Sequence, residues 1–547
     1  MLVVLIIARI INMPFPLVGL LVVSALVAAV FLFFCLFLRW MFCWRNFKRA
    51  LFALACFATL IALFYAEEDW RGRHAWNQFK QKWEARGEHL EFSGVVPPPV
   101  PADKNFAMTP IVFTSYGYLL NRQGEIIPYN TNFDQRMDIS VAPDYEKFPA
   151  GGMGNWQEQR FANLAAWQSY YRQLATKTNV FPVPKQAGSP AGDVLMALSQ
   201  YDDVMEALRK ASQLPDSRFP LNYDTTCPAT ILLPHLAPLK KCGQVLELRS
   251  LAELQDNEPE KAMEDVLLAL ELSGKVRSEP FLISHLVRIA MVQGTQQPIW
   301  EGLARHNWSD TQLARLDAAL ARLDFLADYR LSIRGELGLK CGNFKFMRNH
   351  RNQLFDMIGS MDQESSSLIW GELIPGGWFY QNQLRCARIM LEHYLPVADP
   401  GEDTFSPAVA RHAEGLVETE TKAITPYNVM ERLMVPALSN AARKFAHAQS
   451  SVDLARVAIA LERYRLAHGE YPETLDSVTP KFITKLPHDV IGGKSLHYRR
   501  TGDGLFVLYS VGWNETDDGG TVVDAPNSKP PRVDINEGDW VWRYPGK

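Results

Sequence analysis

The chain has 547 residues, 47% of them hydrophobic and 21% charged, so it is too apolar to be disordered and too long for a single core. A net charge of −4 supplies no cationic field, which excludes nucleic acid as a general partner. The seven cysteines include no Cys-x-x-Cys, so neither a thiol redox motif nor a zinc knuckle is indicated.

Residues 14–38, PFPLVGLLVVSALVAAVFLFFCLFL, carry no charge. About 25 residues at a helical rise of ~1.5 Å cross a hydrocarbon layer with some tilt. Arg39, Arg45, Lys48 and Arg49 follow, then a second apolar run, Leu51–Ala66, closed by Glu67, Glu68 and Asp69. The positive-inside rule puts the four cations in the cytoplasm. Residues 1–69 are therefore expected to be a membrane anchor, an N-terminal transmembrane helix or hairpin. The bulk of the chain then lies on the periplasmic side of a bacterial inner membrane. Starts at Met1, Met13 or Met41 all leave a basic stretch followed by an apolar one. Phe64 fits a cleavage site after Ala66 badly, and Cys56 fits a lipoprotein signal badly.

Residues 70–101 read as a juxtamembrane helix with a Trp76, Phe79 and Trp83 stripe, ended by the stiff spacer PPPVP. The region 102–427 is expected to be a mostly helical domain. Its start, 102–160, lacks a sustained period and is predicted irregular, with short strands near Ile111–Phe113 and Gly124–Ile127. Val245–Leu272 shows two apolar faces about the turn Asp256-Asn257-Glu258-Pro259, with Pro259 suited to a first helical position. Further helical pieces are predicted at 281–304 and 310–325, the latter capped by Ser309 or Asp310. The paired helices resemble tetratricopeptide-type hairpins and imply a solenoid-like array that binds a protein or peptide partner on a concave face. A compact helical domain without a groove is the alternative. Cys227, Cys242, Cys341 and Cys386 permit two disulfides, Cys227 with Cys242 being nearest in sequence, or four buried thiols.

In residues 428–547, Leu438, Ala441, Phe445, Ala448, Val452, Ala455 and Ile459 step by three and four, predicting one long amphipathic helix. Gly469 and Pro472 end it. Strands are predicted at Leu496–Tyr498 and Leu505–Tyr509 around a Thr501–Gly504 turn. Several pieces stand in a recognisable order: Tyr464 with Gly469-Glu470-Tyr471-Pro472, then Leu486-Pro487-His488-Asp489 with Gly493 and Tyr498. Tyr509-Ser510-Val511-Gly512-Trp513-Asn514, Asp517-Asp518-Gly519-Gly520 and Glu537-Gly538-Asp539-Trp540 follow. This stretch, about 438–544, resembles the globular head of type II secretion major pseudopilins and type IV pilin-like folds. The resemblance implies a pilin-like α+β module with a long helix and a small antiparallel sheet. It also implies calcium in the last loop, with Asn514, Asp517, Asp518 and Asp539 as ligands and Asp524 and Asp534 as further oxygen donors. Calcium takes about six to eight hard oxygens from such loops. A solvated acidic loop with Asx turns is the alternative reading. No prepilin-type start precedes this head, so a polymerising pilin subunit is not expected.

The fold class expected is thus mainly α. Gly492-Gly493-Lys494-Ser495 lacks the earlier glycine of a phosphate-binding loop, since His488 stands there. No GxSxG or HExxH occurs. His447 and His468 are predicted at the surface, and Glu67-Glu68 and Asp202-Asp203 as solvated pairs. The expected role is a membrane-anchored, non-enzymatic binding protein. The alternatives are a hydrolase-like enzyme with an unrecognised site in the helical domain and an accessory component of a secretion or pilus system.

Overall fold

The computed structural model describes residues 15–41, 44–113, 118–120, 126–128, 135–143, 148–149, 151–351, 373–423, 425–434, 438–526 and 532–546. Met13, Pro14 and Cys43 lie outside them. The described chain is mainly helical with small antiparallel sheets. It forms two compact units, one reaching to His74 with Pro375–Gly377, the other made of Ala75–Ile374 and Trp378–Lys547.

In the first unit, α1 spans Phe15–Met41, and α2 begins at Trp44 and runs to Glu84. Phe31, Phe33, Phe52 and Leu60 are exposed, as are most of the described apolar side chains between Ser24 and Phe64. Among the described residues α2 is long and apolar enough to cross a membrane, and none of its apolar window is buried. The apolar run and the juxtamembrane stretch that follows it are one continuous helix. One glycine, Gly72, costs a helix only about 1 kcal/mol, and the remaining residues of this stretch include no proline. Glu68, expected in solvent, is buried and pairs with Arg71. The helix stops where Gly87 takes φ +85°, letting Glu88 N–H return to the Trp83 carbonyl.

The second unit starts with Trp76 and Phe79, both buried. Thr109 Oγ1 donates to the Phe106 carbonyl, and Pro110 opens a helical turn, Pro110–Phe113, where a strand was expected. Proline is pre-set for a first helical position and cannot donate to a ladder, which decides the outcome. β1 (Tyr118–Leu120) pairs antiparallel with β2 (Ile126–Pro128); Gly124 and Glu125 of the second predicted strand lie outside the described residues. The helices α3 (Leu164–Ala175), α4 (Pro190–Leu198) and α5 (Asp202–Ser212) follow, α3 capped by Asn163 and α4 by Ser189.

α6 (Leu236–Gln255) and α7 (Pro259–Gly274) pack together around the predicted turn, in which Asn257 has φ +62°. α8 (Leu282–Ala304) lies against both and is buried almost throughout, Pro298 included. α9 (Asp310–Leu320) opens on a capping box between Ser309 and Gln312, and α10 (Phe325–Asn349) on an Asp324 cap. Beyond them come α11 (Gly376–Arg388), a π-helical stretch Ile389–Tyr394, and the two-residue strands β3 (Ala398–Asp399) and β4 (Thr404–Phe405). α12 (Pro407–Thr421), α13 (Val429–Met434) and α14 (Leu438–His468) complete the helices.

α14 realises the predicted long helix. β5 (His497–Arg500), β6 (Phe506–Ser510) and β9 (Trp540–Arg543) form an antiparallel sheet in the order β5-β6-β9. β7 (Val522–Asp524) pairs with β8 (Val533–Gly538). Gly504 at φ +79° makes the Thr501–Gly504 hairpin turn. Phe506, Leu508 and Trp542 belong to the same core as Phe445 and Val452 of α14, while Val507, Tyr509 and Val541 form a small cluster with Val522. Residues 428–547 do not stand apart. α14 packs on α8, α9 and α10, the Trp156 and Trp542 rings lie 5.0 Å apart, and Trp300 Nε1 donates to the Arg543 carbonyl at 2.9 Å. One core runs from Trp76 to Tyr544, with a second around Trp167 and Leu246.

Candidate functional site

The C-terminal loop brings the expected ligand residues into one neighbourhood but gives them separate tasks. Asn514 Nδ2 donates to Asp518 Oδ2 at 2.9 Å, and Asn514 Oδ1 accepts from Thr516 N–H. Asp517 Oδ1 accepts from Gly519 N–H and then from the Tyr509 hydroxyl, which hold its carboxyl below the usual range. Asp539 is buried and accepts backbone N–H groups from Asp518, Gly520 and Thr521. Burial still pushes its carboxyl upward against those hydrogen bonds. Asp524 sits in β7, and Asp534 in β8 caps its own strand through Asn536. Among the described residues no three His, Cys, Asp or Glu side chains converge as metal ligands. As folded, Asp539 and one Asp517 oxygen serve protein donors, so these carboxylates close the loop whatever else they hold.

Three further expectations meet the structure here. Cys227, Cys242, Cys341 and Cys386 are free and buried, and burial raises the Cys242 and Cys341 thiols to about 12. His447, expected at the surface, is buried beside Trp540 with its Nε2 2.7 Å from Gln157 Nε2, and burial lowers its pKa to about 4. His468 is exposed and stacks on Tyr464. The Gly492–Ser495 stretch is a tight turn closed by Asp489 N–H on the Lys494 carbonyl.

Two groups of titratable side chains escaped the sequence reading because their members are distant in the chain. The first is sealed inside the helical body. His235 Nε2 lies 2.7 Å from Glu279 Oε1, Ser284 donates to the same carboxylate, and His285 Nε2 lies 2.8 Å from the Glu279 carbonyl. Arg288 pairs with Asp328 alongside. The serine donates to the carboxylate rather than to an imidazole, so it is not activated as a nucleophile. All six residues are buried, and the cluster ties α8 to α10 and to the segment before α6.

The second opens to a cleft of about 360 Å³ lined by Asp324, Asp403, Asp453, Arg456, Lys485 and His488. Gln449 holds this corner, accepting from Phe325 N–H at 2.8 Å and donating to Asp453 Oδ2 at 3.2 Å. Burial raises Asp453 to about 7, so its carboxyl is poised between acid and base at neutral pH. Arg456 is committed to Asp317 and His488 to the Asp403 carbonyl. Thr484 also lines the cleft. The arrangement can exchange a proton through Asp453.

Comparison of the chain with family models, curated proteins and solved structures returns no match.

Proposed function

We propose that this protein is a membrane-anchored, extracytoplasmic, non-enzymatic binding protein, whose helical domain presents the surface for a protein or peptide partner. The observation that supports it most is the exposed apolar surface of α1 and α2 with four cations between the apolar runs, followed by a large well-packed body. Exposed Phe and Leu side chains in that density need a hydrocarbon environment or a partner. Among the described residues, Ser284 of the sealed cluster donates to the Glu279 carboxylate rather than to an imidazole. The pseudopilin-like resemblance of residues 438–544 supports a stable structural module and an accessory place beside a secretion or pilus system.

The test is membrane fractionation with alkaline extraction, followed by protease treatment of spheroplasts. The protein is expected to stay with the membrane at alkaline pH, and its body to be degraded by added protease. Release into the soluble fraction overturns the anchor, and a protected body overturns the topology. An enzyme is favoured only if Asp453→Asn abolishes a turnover that the intact chain performs.

A further inference from the structure

The end of α6, the turn into α7 and the facing sides of α4 and α5 enclose a cleft of about 670 Å³. Leu195, Met196 and Met205 form its apolar side. Its polar side is dominated by carboxylates, and the arginines there are already engaged. Asp265, buried behind the cleft, binds Arg209 at 2.9 Å and Arg249 at 2.8 Å. Arg249 also pairs with Asp202. Lys261 lies 3.6 Å from Glu258, and Lys210 lies 3.3 Å from Glu206.

Glu253 is the exception. It lines the cleft, is only 3% exposed, and its Oε2 accepts no hydrogen bond. The nearest cation, Arg249 Nη2, stands 3.8 Å from its other oxygen, beyond hydrogen-bond range. A buried carboxyl oxygen left without a donor is costly, and few such groups persist in folded proteins without a partner. Glu253 also sits in the last turn of α6, where the helix presents its negative end, and exposed Asp256 adds a carboxylate just beyond it. Glu253 Oε2 is thus the buried lining atom left without a partner, and once ionised it asks for a cation.

We propose that the cleft binds an alkylammonium ion whose methylene stem lies on Leu195, Met196 and Met205 and whose ammonium group donates to Glu253. A lysine side chain of a protein partner and a free polyamine share this chemistry. Empty, the Glu253 carboxyl is raised to about 8 by burial and then by Asp265, against the pull of Arg249, Lys261 and Arg209. At neutral pH it therefore holds a proton, which passes to the buffer when the ammonium arrives. Asp202, Glu206, Asp256 and Glu258 also face the cleft and outnumber Arg209, Arg249 and Lys261 there, which leaves the field negative. The inference does not depend on which side of the membrane the body occupies.

Calorimetric titration of the full chain in detergent tests it, with 1,5-diaminopentane and an end-blocked peptide carrying one lysine as probes. Runs in two buffers of different ionisation enthalpy report the proton. The expected result is saturable binding of at least one probe, release of close to one proton at neutral pH, and affinity rising by up to about ten-fold per pH unit below pH 8. Binding of the diamine points to a free polyamine, and binding of the peptide alone to a partner's lysine. Glu253→Gln, isosteric with the neutral acid, is expected to weaken binding by about ten-fold or more. Asp256→Lys, at the exposed mouth and away from the core, is expected to weaken it too. Glu271→Gln, outside the cleft, leaves it unchanged. Failure of both probes to bind, binding without proton release, or undiminished binding in Glu253→Gln or Asp256→Lys overturns the proposal.

Discussion

At the scale of single residues, the tail loop shows how one carboxylate can be read two ways. A sequence displays Asp517, Asp518 and Asp539 only as oxygens near glycines, which suits calcium and suits a hydrogen-bonded turn equally. The fold separates the readings by what faces those oxygens. Asp539 meets three backbone N–H groups at 2.7 to 3.3 Å, so it acts as an acceptor that closes the loop. Asp539→Ala orphans those donors and is expected to lower stability by about 2–4 kcal/mol in urea unfolding, whereas Asp539→Asn keeps one acceptor and loses less. On the same geometry, millimolar calcium or a chelator is expected to leave the thermal midpoint of the intact chain unchanged. An upward shift with calcium would mean that the loop rearranges to free its oxygens. His447 makes the complementary point. A histidine on a helix is normally solvated, but the ring of Trp540, contributed from far along the chain, covers it. No local pattern announces a cover supplied by a distant strand.

At the scale of elements, local chemistry was largely sufficient. The three–four spacing of α14, the Ser309 capping box of α9 and Pro259 at the start of α7 each state a boundary that the structure keeps. What local chemistry could not state is contact between elements. The run 51–66 and the helix predicted after residue 70 are one helix, because a composition break at Glu67–Asp69 is no backbone break. Residues 428–547 look separate in sequence, yet Trp542 meets Trp156 and shares its core. Gly335 is a sharper case. In sequence it is a helix-weakening residue inside α10, but a Cβ there would lie 1.6 Å from the Pro280 carbonyl oxygen. The close approach of the segment before α8 requires it. Gly335→Ala is therefore expected to destabilise by about 3 kcal/mol through overpacking, although intrinsic helix propensity alone would favour alanine by about 1 kcal/mol. Stabilisation in urea unfolding would show that this approach is loose.

At the scale of the whole molecule, buried ionisable groups set how stability responds to pH. Glu247, Glu253, Glu431 and Asp453, in different parts of the second unit, are raised to about 8, 8, 7 and 7, in each case chiefly by burial. His285 and His447, also buried, are lowered by burial to about 4. The two sets act in opposite directions. Between roughly pH 4.5 and 6.5 the unfolded chain takes up protons on its histidines that the folded chain refuses, so stability from this source rises with pH. Over the same range the folded chain keeps protons on its carboxyls that the unfolded chain has lost, so stability from that source falls. The contributions largely oppose each other until the unfolded histidines are neutral. Above about pH 6.5 only the carboxyls remain, and unfolding releases protons until about pH 8, where Glu247 and Glu253 also ionise. Stability is therefore expected to fall from pH 6.5 to 8.5, with a limiting slope of about 1.4 kcal/mol per pH unit for each carboxyl still protonated in the fold. Relaxation around the charges would leave a total loss on the order of 3 kcal/mol. Urea unfolding of the full chain in detergent at both pH values measures it. Asp453→Asn removes one titrating group while keeping the Gln449 corner polar, and should flatten the decline by about a quarter of that total. A flat profile in the parent chain would mean that water reaches these carboxyls, and that Glu253 carries no proton to release when a cation enters its cleft.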